Sequence, residues 1–286
     1  MPLFVAYLAL AGRVLLTGYE RIIFKQVGTG SGGEESVFLI FTTGTVLLLP
    51  FALAAEWPTD WGFLWISALA SLAYTVQTVF YIKALSRGEA SLVAPLYYFS
   101  VFFLLILSVV FLDESFGAIK IAGLVMLVYG ASHLNRKQSI LHSLHALATD
   151  HACQLMIVAS LLVAVGRTID GFMMRSVNPI VYTLSLCFFT DVFLFIWLSV
   201  TGRLGSAMQM FRTKLKVGVI AGAVDCYSYL MLLIAITRIE VSIAEPATML
   251  GMVVTVVLAH FVFGERIRER LVGVVVMFFG AWLLFI

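Results

Sequence analysis

The chain has 286 residues, of which 62% are hydrophobic and 12% charged, with a formal net charge of +2. Soluble domains carry about 45–50% apolar and about 25% charged residues, so this composition excludes an ordinary water-soluble module and marks an integral membrane protein. The small net charge, with its lysines and arginines spread over short connections, gives no basic stripe for a nucleic-acid partner.

Long apolar runs recur along the whole length, and only helices or closed barrels can span a bilayer, because every backbone donor and acceptor must be satisfied internally. Barrel strands alternate apolar and polar residues; these runs do not. Ten helical spans are expected, near 3–25, 36–55, 62–82, 90–112, 118–134, 151–174, 179–201, 215–236, 242–263 and 270–286. The first runs directly into the second without a small-residue cleavage site, so the N-terminus is expected to be retained and not removed as a signal peptide.

In chain order, the first span places Arg13 after Gly12, with Thr17 at i+4 and Glu20 at i+7 on roughly the same face. The breaks "VGTGSGGEES" and "EWPTDW" bound the second span. Tyr74, Gln77 and Tyr81 in the third span fall at i, i+3 and i+7, one helical face. The fourth opens on "SRGEASLVAP" and contains Tyr97 and Tyr98. These aromatics either pack and anchor, or line a cavity where they could stack a planar substrate or hold an ammonium group.

The connection "NRKQSILHSLHALATD" reads as a linker whose "SILHSLHAL" lies amphipathically on the membrane surface, with Asp150 near the start of the sixth helix. His142, His145 and His151 lack the cysteines or close carboxylates of a zinc shell, so no metal or cofactor is expected. The sixth span contains Gly166, Arg167 and Asp170. Arg167 and Asp170 either neutralise each other at i and i+3, or Arg167 presents its fork to a substrate carboxylate or phosphate, as Arg13 can in the first span.

Asp191 in the seventh span and Asp225 in the eighth have no basic neighbour at helical spacing, which makes them candidates for proton carriage, for an amine counter-ion, or for a protonated interhelical hydrogen bond. Tyr227 and Tyr229 stand close to Asp225 in sequence. The ninth span opens on "TRIEVSIAEP", in which Glu245 either favours the positive helix start or faces a cavity. His260 is a lone intramembrane histidine, expected to hydrogen-bond within the bundle. Cys153, Cys187 and Cys226 all fall inside spans, where no disulfide is expected.

Two segments are nearly repeated: Arg87, Glu89, Ser91 and Pro95 align with Arg238, Glu240, Ser242 and Pro246 at an offset of 151, and Glu114 aligns with Glu265 in the same register. Each copy starts a helix with acidic and hydroxyl residues and places a proline where a missing backbone N–H costs little. Gly12-Arg13 matches Gly166-Arg167 at the other end of each half. The expected fold is therefore an all-α integral membrane protein of ten transmembrane helices in two inverted five-helix repeats, over 1–135 and 151–286, joined by a cytoplasmic linker at 136–150. An odd number of spans per repeat forces the inversion, an arrangement found in secondary transporters.

These paired segments, with "FLDE", "IAGLVMLVYG", "VFGE" and "LVGVVVMFFGAWLL", resemble the repeats of the drug/metabolite transporter superfamily, EamA type, over both halves. The resemblance implies a ten-helix secondary carrier with a central cavity, often an exporter of amino acids or related metabolites, and it implies importance for "EP" at Glu245. On this reading the partners are a small-molecule substrate and the lipid bilayer, with protons as the candidate coupling ion and with monomer and homodimer both open. The candidate substrate residues are Arg13, Arg167, Tyr74, Gln77, Tyr81, Tyr97, Tyr98, Asp225, Tyr227 and Glu245. Candidates for proton coupling or gating are Asp225, Asp191, Asp170 and Glu20.

An intramembrane lipid enzyme is the rival class, but the chain offers neither a catalytic triad nor a phosphate-transfer motif, and no enzyme activity is expected. Thirteen basic residues fall on one side of the membrane and three, Lys120, Arg175 and Arg238, on the other. The positive-inside rule then puts both termini outside, in what is expected to be a bacterial inner membrane, whereas the resemblance implies termini in the cytoplasm.

Overall fold

The computed structural model describes residues 2–28, 33–87, 96–97, 99–115, 117–134, 150–254, 257–258 and 271–285, and among these the regular structure is helical throughout. The helices are α1 (Leu3–Gly28), α2 (Gly33–Leu53), α3 (Phe63–Arg87), α4 (Phe99–Leu112), α5 (Ala118–Leu134), α6 (His151–Met173), α7 (Pro179–Val200), α8 (Leu204–Thr213), α9 (Leu215–Ile236), α10 (Val241–Ala247) and α11 (Leu271–Leu284). Six of them, α1, α2, α3, α6, α7 and α9, are long and apolar enough to cross a membrane, and four shorter apolar helices lie over Phe99–Leu112, Ala118–Gly130, Val241–Val254 and Val275–Leu284. Large side chains point outward, with Trp65 82% and Val200 81% exposed, as lipid permits and water would penalise.

The chain forms two compact units, one from Met1–Thr75 and Ile169–Arg238, the other from Val76–Thr168 and Ile239–Ile286. Each therefore draws on both sequence halves. In the first unit α9 packs on α1 and α2, and α2 also packs on α7. Ile23, Val27, Leu39, Ile40, Met210 and Ala221 form one core cluster, and Leu48, Ala52, Leu184, Cys187 and Cys226 another.

Helix α7 has both ends specified locally. Asn178 accepts a hydrogen bond from the Ile180 N–H at 2.9 Å while Pro179 occupies the first helical position, where its missing N–H has no intrahelical role. At the other end Gly202 adopts φ +68, which a residue with a Cβ rarely takes. The Gly202 N–H reaches the Ser199 carbonyl and the Arg203 N–H the Leu198 carbonyl, the double closure of a Schellman turn.

Arg203 then turns its side chain to the start of α2. Its Nε and Nη2 grip both oxygens of Glu35 at 2.9 and 2.7 Å, and its Nη1 binds Glu34. Both glutamates are buried in the first turn of α2, where carboxylates also favour the positive helix end. The sequence reading leaves 202–214 as a connection, whereas the structure forms the short α8 there. Its Ala207 and Met210 are buried while Met208 and Arg212 stay exposed. The segment is too polar for a span but amphipathic enough to lie along the bundle.

In the second unit α5 and α11 pair antiparallel through glycines spaced seven apart on each helix. A Cβ on Gly123 would stand 2.8 Å from the Gly280 carbonyl oxygen, and one on Gly130 would stand 2.8 Å from that of Gly273. Small residues here let two backbones touch, the packing mode that membranes favour. Val101, Leu105, Leu124, Leu127, Met249, Met252, Met277, Ala281 and Leu284 close this core.

Glu114 explains part of the duplicated motif. Its carboxylate accepts the N–H groups of Val241 and Ser242 at 2.6 and 3.0 Å, capping α10 from another segment. Lys120, buried, donates to Glu240, to the Ser242 hydroxyl at 2.8 Å and to the Ser115 carbonyl at 2.9 Å. Pro246 stands sixth in α10, past the first turn, so the carbonyl of Ser242 loses an intrahelical partner, and the helix tightens into a 3-10 turn at Thr248–Leu250. The expectation of a low-cost proline is corrected for this copy; Pro95, Glu89, Ser91 and Glu265 lie outside the described residues, as do His142, His145 and His260. Asp150 does start α6, accepting the Ala152 N–H at 2.9 Å.

Two outcomes follow from this packing. Gly130→Ala and Gly280→Ala should each destabilise the protein by about 1–3 kcal/mol through forced separation of α5 and α11, while Val125→Ala on the outward face should change little, read by denaturant unfolding in detergent micelles. Burial raises the Glu240 pKa, but hydrogen bonds from Lys120 and Ser115 outweigh it and hold the carboxyl below the ordinary glutamate value. Its contribution is then present above that ordinary value and lost as pH falls through the depressed one. Glu240→Gln should lower Tm at pH 7, and its difference from wild type should narrow only as pH falls below the ordinary glutamate value of about 4.3.

Candidate functional site

Arg13 sits near the middle of α1 and is 8% exposed. Gly12 brings α1 close to α9: a Cβ there would lie 2.4 Å from the Met231 sulfur. That approach lets Arg13 Nη1 donate to the Ser228 hydroxyl on α9 at 2.6 Å. The Thr17 hydroxyl lies 3.3 Å from the same Ser228 oxygen, and Glu20 lies 3.8 Å from Arg13 Nη1. Arg13, Thr17 and Glu20, spaced by helical turns on α1, thus form one polar cluster with Ser228.

Asp170 is fully buried and collects hydroxyl donors from three helices. Tyr74 on α3 and Tyr229 on α9 donate to Oδ2 at 2.6 Å each, and Tyr182 on α7 donates to Oδ1 at 3.0 Å. The Tyr74 and Tyr229 rings meet edge to face at 6.2 Å. The three phenols thus supply hydroxyl donors to both carboxyl oxygens, a ring of polar support drawn from three helices.

Asp191 on α7 accepts from Thr42 at 3.0 Å and Thr45 at 2.7 Å, both on α2. Asp225 is half-buried on α9 and Tyr227 turns to Phe51, ring centroids 6.2 Å apart. In the second unit Arg167 Nε lies 3.2 Å from Glu245 Oε2, with the arginine side chain 10% exposed. Glu245 therefore faces an arginine of α6, not only its own helix start. Gln77 is buried on α3, and Tyr81 meets Tyr97 edge to face at 5.2 Å. Tyr98 lies outside the described residues.

A family model described as the EamA-like transporter family matches residues 4–136 and again 151–286. The chain belongs to that family. This makes it a multi-pass membrane protein of a transporter family, with a small-molecule substrate and the bilayer as its partners, and it supports a transporter over an enzyme. A comparison with curated proteins finds no match. A solved crystal structure shares the fold with a TM-score of 0.74, covering 98% of this EamA-like chain and 96% of its own, at 15% identity.

The structure brings Arg13 together with Glu20, Arg167 with Glu245, and Tyr74 with Asp170. Sequence reasoning missed Ser228, Tyr182, Thr42 and Thr45 as partners of these charges. A serine or threonine in an apolar span ordinarily bonds back to its own helix, as Thr183 does to Pro179, so residue type alone did not single them out. Tyr182 could have been found as another tyrosine in a span, but nothing local tied it to Asp170.

Removing one hydroxyl leaves Asp170 short of a buried donor, a loss of about 1–3 kcal/mol. Tyr74→Phe and Tyr229→Phe should lower Tm more than Tyr182→Phe, whose bond is longer, measured by thermal unfolding of the purified protein in one detergent.

Proposed function

We propose that this chain is a secondary active carrier that moves a small polar or amphipathic metabolite, an amino acid or related compound, out of the cell by alternating access of two inverted five-helix repeats. The observation that carries the proposal is the pair of matched arginines. Gly12-Arg13 and Gly166-Arg167 occupy corresponding places in the two halves, and each arginine is buried beside a glutamate, Glu20 or Glu245. A buried charge within a span is costly and marks a substrate or ion path.

The repeats run over 1–135 and 151–286, with 136–150 as a cytoplasmic linker. The antiparallel pairing of α5 with α11 supports the inversion, since it sets the last helix of one half against the last of the other. Arg13, Arg167, Tyr74, Gln77, Tyr81, Tyr97, Tyr98, Asp225, Tyr227 and Glu245 are the substrate residues on this reading. Asp225, Asp191, Asp170 and Glu20 are the carboxylates available for proton coupling or gating. The thirteen-to-three bias of basic residues supports termini outside a bacterial inner membrane.

Proteoliposomes supplied with a radiolabelled amino-acid mixture and an imposed pH gradient test the function. Concentrative flux should appear and should vanish when an ionophore collapses the gradient. Flux that survives unchanged leaves a facilitator without proton coupling, and absence of flux for any metabolite class removes the carrier reading.

A further inference from the structure

We propose that Arg13, Ser228 and Thr17 form a binding subsite for the carboxylate of a small anion or zwitterion, and that Glu20 occupies it in the resting state as an internal competitor. The inference rests on the carrier reading above and deepens it by naming the substrate class and a regulating residue.

The argument begins with what Arg13 does with its donors. Nη1 gives its hydrogen bond to Ser228 at 2.6 Å, while the Glu20 oxygen stands 3.8 Å from the same nitrogen. At that distance a carboxylate balances the charge of Arg13 but accepts no hydrogen bond from that nitrogen. Arg13 Nε is buried and, among the described residues, has no hydrogen-bond partner, with the side chain nine-tenths buried. Buried guanidinium donors are ordinarily satisfied, so this one is held ready for an acceptor.

The contrast with the second half is specific. There Arg167 Nε lies 3.2 Å from Glu245 Oε2, a closer ion pair than the 3.8 Å between Arg13 Nη1 and Glu20 Oε2. The two matched arginines are therefore held differently: Arg167 pairs closely with its glutamate, whereas Arg13 gives a hydrogen bond to Ser228 and keeps its glutamate at the longer distance.

The surrounding hydroxyls suit a carboxylate. Ser228 accepts from Arg13 with its oxygen and shares a hydrogen bond with the Thr17 hydroxyl 3.3 Å away, which uses one of the two hydroxyl protons and leaves the other to donate. An incoming carboxylate can take hydrogen bonds from the guanidinium fork and a hydroxyl together, whereas Glu20, tied to α1, reaches only the longer distance. Two carboxylates beside one arginine repel each other in a medium of low dielectric, so binding displaces Glu20. An amide of the same shape brings no charge and gains no such exchange.

The test uses the full-length protein in nanodiscs and trifluoroacetate, which stays anionic at working pH, observed by fluorine NMR line broadening with trifluoroacetamide as neutral control. Wild type should bind trifluoroacetate and not the amide. Arg13→Gln should abolish binding, Ser228→Ala should weaken it about tenfold, and Glu20→Gln should tighten it about tenfold. Arg13→Lys, which retains the charge, should restore part of the binding lost in Arg13→Gln and serves if the glutamine variant fails to fold, as judged by size exclusion. Equal binding of the amide, unchanged binding in a folded Arg13→Gln, or no tightening in Glu20→Gln overturns the proposal. If Arg13-dependent binding is present but no metabolite moves across proteoliposomes, the carrier reading fails and the subsite stands; if flux is present and insensitive to Arg13 and Glu20, the subsite fails and the carrier stands.

Discussion

A charge placed inside a bilayer has to be met by an opposite charge or by hydrogen-bond donors, and the arrangement of this bundle follows from meeting that demand at each site. An unmet ionised group at the bilayer centre costs at least about 2.5–3.5 kcal/mol even on the lenient scales. Arg13 is met by a hydroxyl and a distant carboxylate, Arg167 by Glu245, Asp170 by three phenols and Asp191 by two threonines. In several cases the partners come from different helices, so polar satisfaction also fixes which helices are neighbours. The apolar side chains supply packing, but lipid tails would solvate them almost as well, and it is the polar contacts and the close glycine approaches that discriminate among arrangements.

The ends of several spans were legible because they are bounded by residues that cannot remain in hydrocarbon. The expected 215–236 and 118–134 coincide with α9 and α5, and 179–201 differs from α7 by one residue, since Lys214, Glu114 and Arg203 mark where apolar sequence stops. Charged residues inside spans were equally visible, because few residue types stand out so sharply against a background that is 62% hydrophobic. What sequence could not show was pairing between segments far apart. Glu245 could be weighed only against its own helix start until Arg167 was found beside it. Glu114 looked like the end of a repeat until its carboxylate was seen to cap α10, more than a hundred positions away. Helix α8 escaped notice because its apolar face is only two buried side chains wide.

The duplicated motif takes on a divided role in this light. Glu114, Glu240 and Ser242, all in register with the other copy, hold one set of segments together near the helix ends. Glu245, which faces Ala94 in the alignment, is the residue that departs from the repeat, and it reaches an arginine deep in α6. Shared positions maintain the scaffold, and the unshared one joins the buried charges.

The turn at the end of α7 has a consequence for the membrane itself. The backbone of Arg203 closes α7 while its side chain grips the first turn of α2, so two antiparallel spans have their ends tied at one level. At about 1.5 Å per residue the 21 residues of α2 and 22 of α7 measure about 32 and 33 Å, close to the roughly 30 Å of bilayer hydrocarbon. Neither helix can shift along the other to suit a thinner or thicker bilayer without breaking that grip. The lipid has to adjust to the protein at this edge, through local stretching or through tilt of the pair as one body, which makes Arg203 a ruler for the thickness in which the bundle is at rest.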